Sequence, residues 1–321
     1  MTGNRVAVSS PGCVAGLLGV KVHMSDPVFV YGFAGYPGGV FPSLADVVGP
    51  RDDGTGHLGG QRDDDLGGDT DAHGQKPLTQ YDVGDVVLLT GSEGRHAVTV
   101  KRLVAGDSLV LVNGEGDWLR CAVESTPSKT QLRATVLEAG HTPMPTPPMT
   151  VVQALPKSDR SELAVDLACQ AGADAIVPWS ASRSIARWKG KEKKAGTKWV
   201  DTAVASSKQS RRARFPRFAA LSTTDDVVKA IEQVTQSGGL ALVLEESESV
   251  PVTALSDKLR QASQIMLIVG PEGGIAPDEH DAFVRAGATS VVLGPEVLRT
   301  AAAASVALGA VNVLSGRWSE A

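Results

Sequence analysis

Apolar and polar positions follow one rhythm in the first half of the chain and another in the second. Val28-Phe-Val-Tyr31, entered from the turn-forming Ser25-Asp-Pro27, predicts a first strand. Short alternating runs at 85–90, 108–113, 118–124 and 132–138 predict four more, separated by Gly-Asp, Asn-Gly-Glu-Gly and Pro-Ser turns. Strands this short at this spacing suggest a small β-barrel. Between the first two of these four, the stretch 94–107 predicts a helix, with Ala97, Val100 and Val104 on one face and Lys101 and Arg102 pointing away. His141-Thr-Pro-Met-Pro-Thr-Pro-Pro148 then predicts a stiff, extended linker.

Beyond the linker the pattern alternates between the two periods. Strands are predicted at 149–155, 175–178, 240–244, 265–269 and 290–293, and helices at 159–171, 197–210, 224–236, 252–261, 277–286 and 297–314. Pro277 followed by Asp278 and Glu279 makes a good helix start, because proline suits the first turn and acids offset the dipole. The expected architecture is α/β, a mainly parallel sheet with helices on both faces. Domain limits follow as a barrel over 24–140, a linker over 141–148 and an α/β domain over 149–321.

Two stretches lack either period. Residues 1–23 predict an unstructured leader, and Met24 is an alternative start of translation. Val6–Val22 has a faint likeness to a signal peptide, but Ser9, Ser10 and Pro11 interrupt it. Residues 36–80 are rich in Gly and Asp and predict a disordered acidic insertion that buries too little surface to offset its ordering entropy.

Cys13, Cys121 and Cys169 lie far apart and make no C-x-x-C pair, which argues against a disulfide framework or a zinc site and for a reducing, cytoplasmic setting. The apolar run Ala301–Leu314 is shorter than the roughly 20 residues a membrane span needs, so it predicts a buried helix and no membrane partner. Net charge is −5, which alone argues against a polyanionic ligand. Its distribution reverses that: acids crowd Asp46–Asp71, whereas Arg187–Arg217 carries eleven Lys or Arg against only Glu192 and Asp201.

The candidate chemistry lies in two glycine-turned loops. Ile268-Val-Gly-Pro-Glu-Gly-Gly-Ile275 sits where a buried strand ends and a helix soon begins, the place where open α/β sheets bind ligands. Alone it reads as a tight turn, matching neither a dinucleotide nor a P-loop fingerprint. Leu293-Gly-Pro-Glu-Val-Leu-Arg-Thr300 repeats the turn after the next predicted strand, so two adjacent strands are expected to deliver similar loops to one sheet edge.

Taken in order, Gln153-Ala-Leu-Pro-Lys-Ser-Asp-Arg160, Lys208-Gln-Ser-Arg-Arg-Ala-Arg-Phe-Pro216, Leu244-Glu-Glu246, Ile268–Ile275 and Leu293–Thr300 make the chain resemble the RsmE family of ribosomal RNA methyltransferases, in the SPOUT superfamily. The likeness covers Met24–Arg317 apart from the acidic insertion. It implies an N-terminal PUA-like RNA-binding barrel, a C-terminal domain tied in a trefoil knot, a homodimer, and S-adenosylmethionine-dependent methylation of a uridine N3 in 16S rRNA of the small ribosomal subunit. Leu244, Glu245, Gly270, Gly274, Ile275, Leu293, Gly294, Leu298 and Thr300 are the implied cofactor residues. Arg299, beside the methyl donor, is the candidate catalytic cation, because an arginine stays protonated and stabilises a developing uridinate rather than acting as a base. His96, Lys101, Arg102, Lys157, Arg160, Arg211, Arg212 and Arg214 are the expected RNA contacts; each also reads as an ordinary surface charge. The stretch Lys189–Lys198 reads either as a further basic surface or as a solvated loop.

One departure stands out. Many family members carry a Glu soon after Leu-Arg-Thr, whereas Ala301–Ala304 follow here. The departure keeps open the reading of an RNA-binding assembly factor without turnover; spacing alone also leaves open a SPOUT enzyme acting on transfer RNA.

Overall fold

The computed structural model describes residues 26–49 apart from 34, 37 and 38, and residues 76–319 apart from 158, 159 and 247–249. The leader and most of the acidic stretch lie outside the described residues.

The first half forms a five-stranded sheet from β1 (Val28–Val30), β2 (Val86–Leu89), β3 (Ser108–Val112), β4 (Asp117–Ser128) and β5 (Gln131–His141), in the order β1-β3-β4-β5-β2. β1 runs parallel to β3; the other pairs are antiparallel. Alternation sets the faces: Val87 and Leu89 are buried while Val86 and Leu88 between them are exposed. One face encloses Phe29, Leu109, Leu111, Leu119 and Leu132. The other places Val28, Val110, Val112 and Trp118 against Ala213 and Phe215 of the second half, which explains why β3 is apolar on both sides.

The second half builds a six-stranded, all-parallel sheet from β6 (Met149–Ala154), β7 (Ala175–Trp179), β8 (Arg217–Phe218), β9 (Leu240–Leu244), β10 (Ile265–Val269) and β11 (Thr289–Val291), in the order β11-β9-β10-β6-β7-β8. Both faces are covered, so the strands are near-continuous apolar runs. Met149, Val151, Ile265, Leu267 and Val269 turn to one layer, with α3 (Ser161–Gln170), α4 (Glu192–Gln209), α6 (Ser256–Gln261) and α8 (Thr300–Leu314). Val152, Ala154, Met266 and Ile268 turn to the other, with α1 (Leu44–Val48), α5 (Thr224–Gln236) and α7 (Pro277–Arg285). Thr223 and Asp226 form a reciprocal capping box that starts α5.

Several expectations are corrected. Residues 40–49 are not part of a disordered insertion: Ser43 caps α1, and Leu44, Val47 and Val48 are buried in the second domain's core. Phe41 lies over Gly196 of α4, and the Tyr36 hydroxyl accepts the Phe218 N–H at 2.6 Å. The anticipated basic helix on the barrel is a short α2 (Gly91–Arg95) continued by a π-helical turn, His96–Val100. The Lys101 N–H donates to His96, five residues back, and Arg102 ends the turn at φ +58°. Widening the turn rotates the expected stripe outward, so Val100 and Val104 are exposed and only Ala97 of that set is buried. α4 starts five residues before the expected Thr197, and Lys193, Lys194 and Lys198 lie on its opening turns. β8 was not anticipated.

Candidate functional site

Parallel register brings the strand ends into line. Leu244 of β9 pairs with Val269 of β10 on one side and with Val291 of β11 on the other. The segments after these strands therefore leave from one carboxyl edge. The two Gly-Pro-Glu loops do not come from neighbouring strands, as the sequence order suggested: β9 lies between β10 and β11. Two strand spacings, about 10 Å, separate the loops, with Leu244 and Glu245 between them.

The first loop, Gly270–Ile275, is shaped by physical requirements at two glycines. Gly274 has φ +71°, and its N–H donates to Pro271 at 2.9 Å to close the turn. A Cβ at Gly270 would sit 2.7 Å from the Ile275 side chain, so the loop folds tightly back on its own strand. Ile275 is buried, while Leu244, Leu293, Gly294 and Leu298 are half-buried. Among the described residues, the backbone N–H groups of Leu293, Gly294 and Leu298 donate to no acceptor. The edge thus combines partly open apolar side chains with undonated amides.

Arg299 adopts φ −66° and ψ 140° at the N-cap of α8, and its carbonyl accepts from Ala302 and Ala303. This extended cap explains why α8 begins at Thr300 rather than at the expected Val297. The Arg299 side chain is exposed, with no hydrogen bond or ion pair among the described residues. Thr300 is buried, as are Ala301, Ala303 and Ala304, of which Ala303 and Ala304 pack into the layer shared with α3. The place where the resemblance implied a Glu is thus taken by alanine.

The expected RNA-facing residues divide by environment. Lys101, Arg102, Lys157 and Arg211 are exposed. Arg102 and Arg211 are the two non-glycine residues with positive φ among the described residues, at +58° and +57°. Arg160 is half-buried at the N-cap of α3, and its N–H donates to Lys157. His96 packs edge-on against Phe29 with ring centroids 5.6 Å apart; burial and the nearby Lys208 hold its pKa below the ordinary value. Arg212 departs from expectation. Its guanidinium is turned inward, donating to the Cys169 carbonyl at 2.7 Å and pairing with Asp174 at 3.5 Å. Arg214 is largely committed between the domains, donating to Thr142 at 2.6 Å and lying 2.8 Å from His141. Neither guanidinium belongs to the exposed basic set.

The domain junction carries a second polar link. Lys208 of α4 pairs with Glu93 of α2 at 2.7 Å, and Glu93 also accepts the Val30 N–H. Gly114 is required at the apolar part of the junction, because a Cβ there would fall 2.5 Å from the Phe215 ring.

Two anchoring roles were not read from the sequence, those of Arg183 and Glu279. The Arg183 guanidinium donates to the carbonyls of Gly273 at 3.2 Å and Ile275 at 3.3 Å, bracing the first loop from the segment after β7. Glu279, 4% exposed, accepts from Ser182, Thr224 and Ala276, joining the starts of α5 and α7 to that same segment. A buried acid just inside a helix start was the available signal for Glu279. Arg183 offered none, since its partners are carbonyls ninety residues away.

A model of the RNA methyltransferase domain matches residues 142–312, and one of the RNA methyltransferase PUA domain matches residues 89–137. The Ribosomal RNA small subunit methyltransferase E of Mycobacterium bovis is 47% identical over 241 residues, covering 75% of this chain and 91% of that protein. This chain belongs to the ribosomal RNA small subunit methyltransferase E family.

The family member from Bacillus subtilis is 27% identical over 239 residues, covering 73% of this chain and 92% of its own length. Among solved structures, a family member from Neisseria gonorrhoeae bound to S-adenosyl methionine superposes with a TM-score of 0.63 over 73% of this chain and 94% of that one, at 23% identity, which shows the shared fold. No helix among the described residues is long and apolar enough to cross a membrane.

Proposed function

We propose that this member of the methyltransferase E family transfers the methyl group of S-adenosylmethionine to N3 of a uridine in 16S rRNA of the small ribosomal subunit, in the cytoplasm and as a homodimer. The observation that carries the reading is the alignment of the segments after β9, β10 and β11 at one carboxyl edge, with Leu244 in register with both Val269 and Val291. Loops on opposite sides of the molecule would have ended it.

The residues present fit the cofactor. Half-buried Leu244, Leu293 and Leu298 with Ile275 offer apolar surface for an adenine ring, and the undonated N–H groups of Leu293, Gly294 and Leu298 offer polar partners for its edge. Glu245, Gly270, Gly274 and Thr300 complete the proposed cradle. Bound there, S-adenosylmethionine supplies an electrophilic methyl on a sulfonium, and alignment with the nucleophile accounts for much of the rate. Arg299, exposed beside the second loop, holds the developing uridinate charge. With Ala301, Ala303 and Ala304 in the core, solvent takes the N3 proton. His96, Lys101, Arg102, Lys157, Arg160 and Arg211 hold the RNA, where clustered cations supply phosphate affinity. Arg212 and Arg214 serve by fixing the segment that presents Arg211.

The trefoil knot is part of the same reading, and chain crossings support it. Between β9 and α6 the chain passes outside β11, where Val252 and Val250 exchange backbone hydrogen bonds with Val292. α8, which follows β11 in the chain, packs in the layer it shares with α3.

The test is methylation of purified small subunits under cofactor excess, with mass-spectrometric mapping of the product. One new N3-methyluridine is expected. Cofactor binding without any methyl transfer would favour the assembly-factor reading, and modification of transfer RNA alone would favour the other.

A further inference from the structure

Among the described residues, two buried oxygen acceptors at the same carboxyl edge have no donor. The Gln153 side chain is 1% exposed; its Nε2 donates to the Ala154 carbonyl at 3.1 Å, and its Oε1 has no partner. The Glu272 Oε1 accepts the Lys157 N–H at 3.1 Å, while its Oε2 is buried and unpartnered. They are close in the topology: Gln153 pairs in register with Val269, and Glu272 lies three residues beyond, inside the Gly270–Ile275 loop. Buried acceptors are nearly always satisfied, and an unmet carboxylate oxygen is the costliest kind to leave so. By contrast Glu279, the other acid near this loop, has all its partners within the protein. The missing donor therefore lies outside the described residues.

We infer that Glu272, with Gln153 beside it, is the polar acceptor site for the hydrogen-bearing groups of the methyl donor, its ribose hydroxyls or its α-ammonium. The inference rests on the cofactor site proposed above and adds to it a charged side chain that neither the loop motif nor the family likeness assigned. Glu272 is half-buried as a residue and is followed by the exposed Gly273 and Gly274, so the loop borders solvent at this point. Its second oxygen holds the Lys157 backbone, which ties the cofactor loop to the segment bearing Lys157 and Arg160. Cofactor binding at Oε2 thereby positions that proposed RNA-contacting segment.

The test compares the full-length protein with Glu272→Gln by calorimetric titration of S-adenosylhomocysteine and of methylthioadenosine, which keeps the ribose but lacks the amino-acid tail. Losing a charged acceptor is expected to weaken S-adenosylhomocysteine by about tenfold or more. An equal loss for methylthioadenosine assigns the donor to the ribose, and an unchanged affinity for it assigns the donor to the ammonium. The melting temperature of the unliganded variant is expected to stay the same or rise, because the substitution removes an unmet buried charge. A weaker effect on S-adenosylhomocysteine than tenfold overturns the inference in favour of an internal water at Oε2. A loss that comes with a melting temperature lowered by more than about 2 °C also overturns it, since Glu272 would then be holding the loop together. Failure of the wild-type protein to bind S-adenosylhomocysteine refutes the cofactor site itself, a separate outcome.

Discussion

Replacing Asp174 with alanine probes how the basic loop between the domains is held. Asp174 is 4% exposed by side chain and receives Arg317 at 2.6 and 3.1 Å, Arg212 at 3.5 Å and the Met149 N–H at 2.8 Å. Arg317 also donates to the carbonyls of Pro147 and Gly172, so this carboxylate joins the linker, the turn after α3, the Arg212 segment and the C-terminal residues. Asp174→Ala leaves two inward-facing guanidiniums with only carbonyls as acceptors. Removing one partner of a buried ion pair costs about 3–5 kcal/mol because the remaining charge is uncompensated. For a domain of this size each kcal/mol lowers the melting temperature by about 2–4 °C, so a fall of roughly 6–20 °C is expected. Thermal unfolding followed by circular dichroism measures it. The loss should be nearly the same at low and high salt, since buried charges are little screened. Arg317→Ala should cost less, because Asp174 keeps Arg212 and the Met149 N–H. A fall below about 2 °C for Asp174→Ala would refute the argument.

Arg299→Ala is expected to lower the single-turnover methylation rate by about 100-fold or more while leaving S-adenosylhomocysteine affinity within about threefold; an unchanged rate removes Arg299 from the chemistry. Arg211→Ala should weaken RNA binding and reduce the salt slope of the affinity by about 1 without lowering the melting temperature, whereas Arg212→Ala should lower the melting temperature; the reverse pattern would contradict the division between exposed and inward arginines. Gly274→Ala places a side chain at φ +71° and should cost about 1–2 kcal/mol, read as a lower melting temperature with weakened cofactor binding. Burial pushes the thiols of Cys121 and Cys169 up to about 12. Both should resist alkylation of the native protein at pH 8 and react once it is unfolded. Because the folded-state values are raised, the native form holds these protons where the unfolded chain releases them, so stability is lost as pH rises above about 9. Rapid native alkylation would show the thiols to be accessible.

Much of this protein is legible from residue order. The strands at 240–244 and 265–269 and the helix at 224–236 are read correctly, because buried parallel strands are unbroken apolar runs and the helix carries its own start signal in Thr223 and Asp226. The ordered motifs likewise point to the family, since they record local chemistry that does not depend on knowing the contacts. Other features belong to tertiary structure. β9 lies between β10 and β11 because strand order is decided by how crossovers pack, which periodicity along the chain does not carry. Residues 40–49 look like part of an acidic insertion until Leu44, Val47 and Val48 meet α5, because five residues of helix are stable only against a partner surface. Arg211 and Arg212 are neighbours with the same side chain, yet one faces water and the other is drawn inward beside Asp174. Residue type supplies the charge, but only the surrounding fold decides whether that charge is available to a ligand or used to hold the structure.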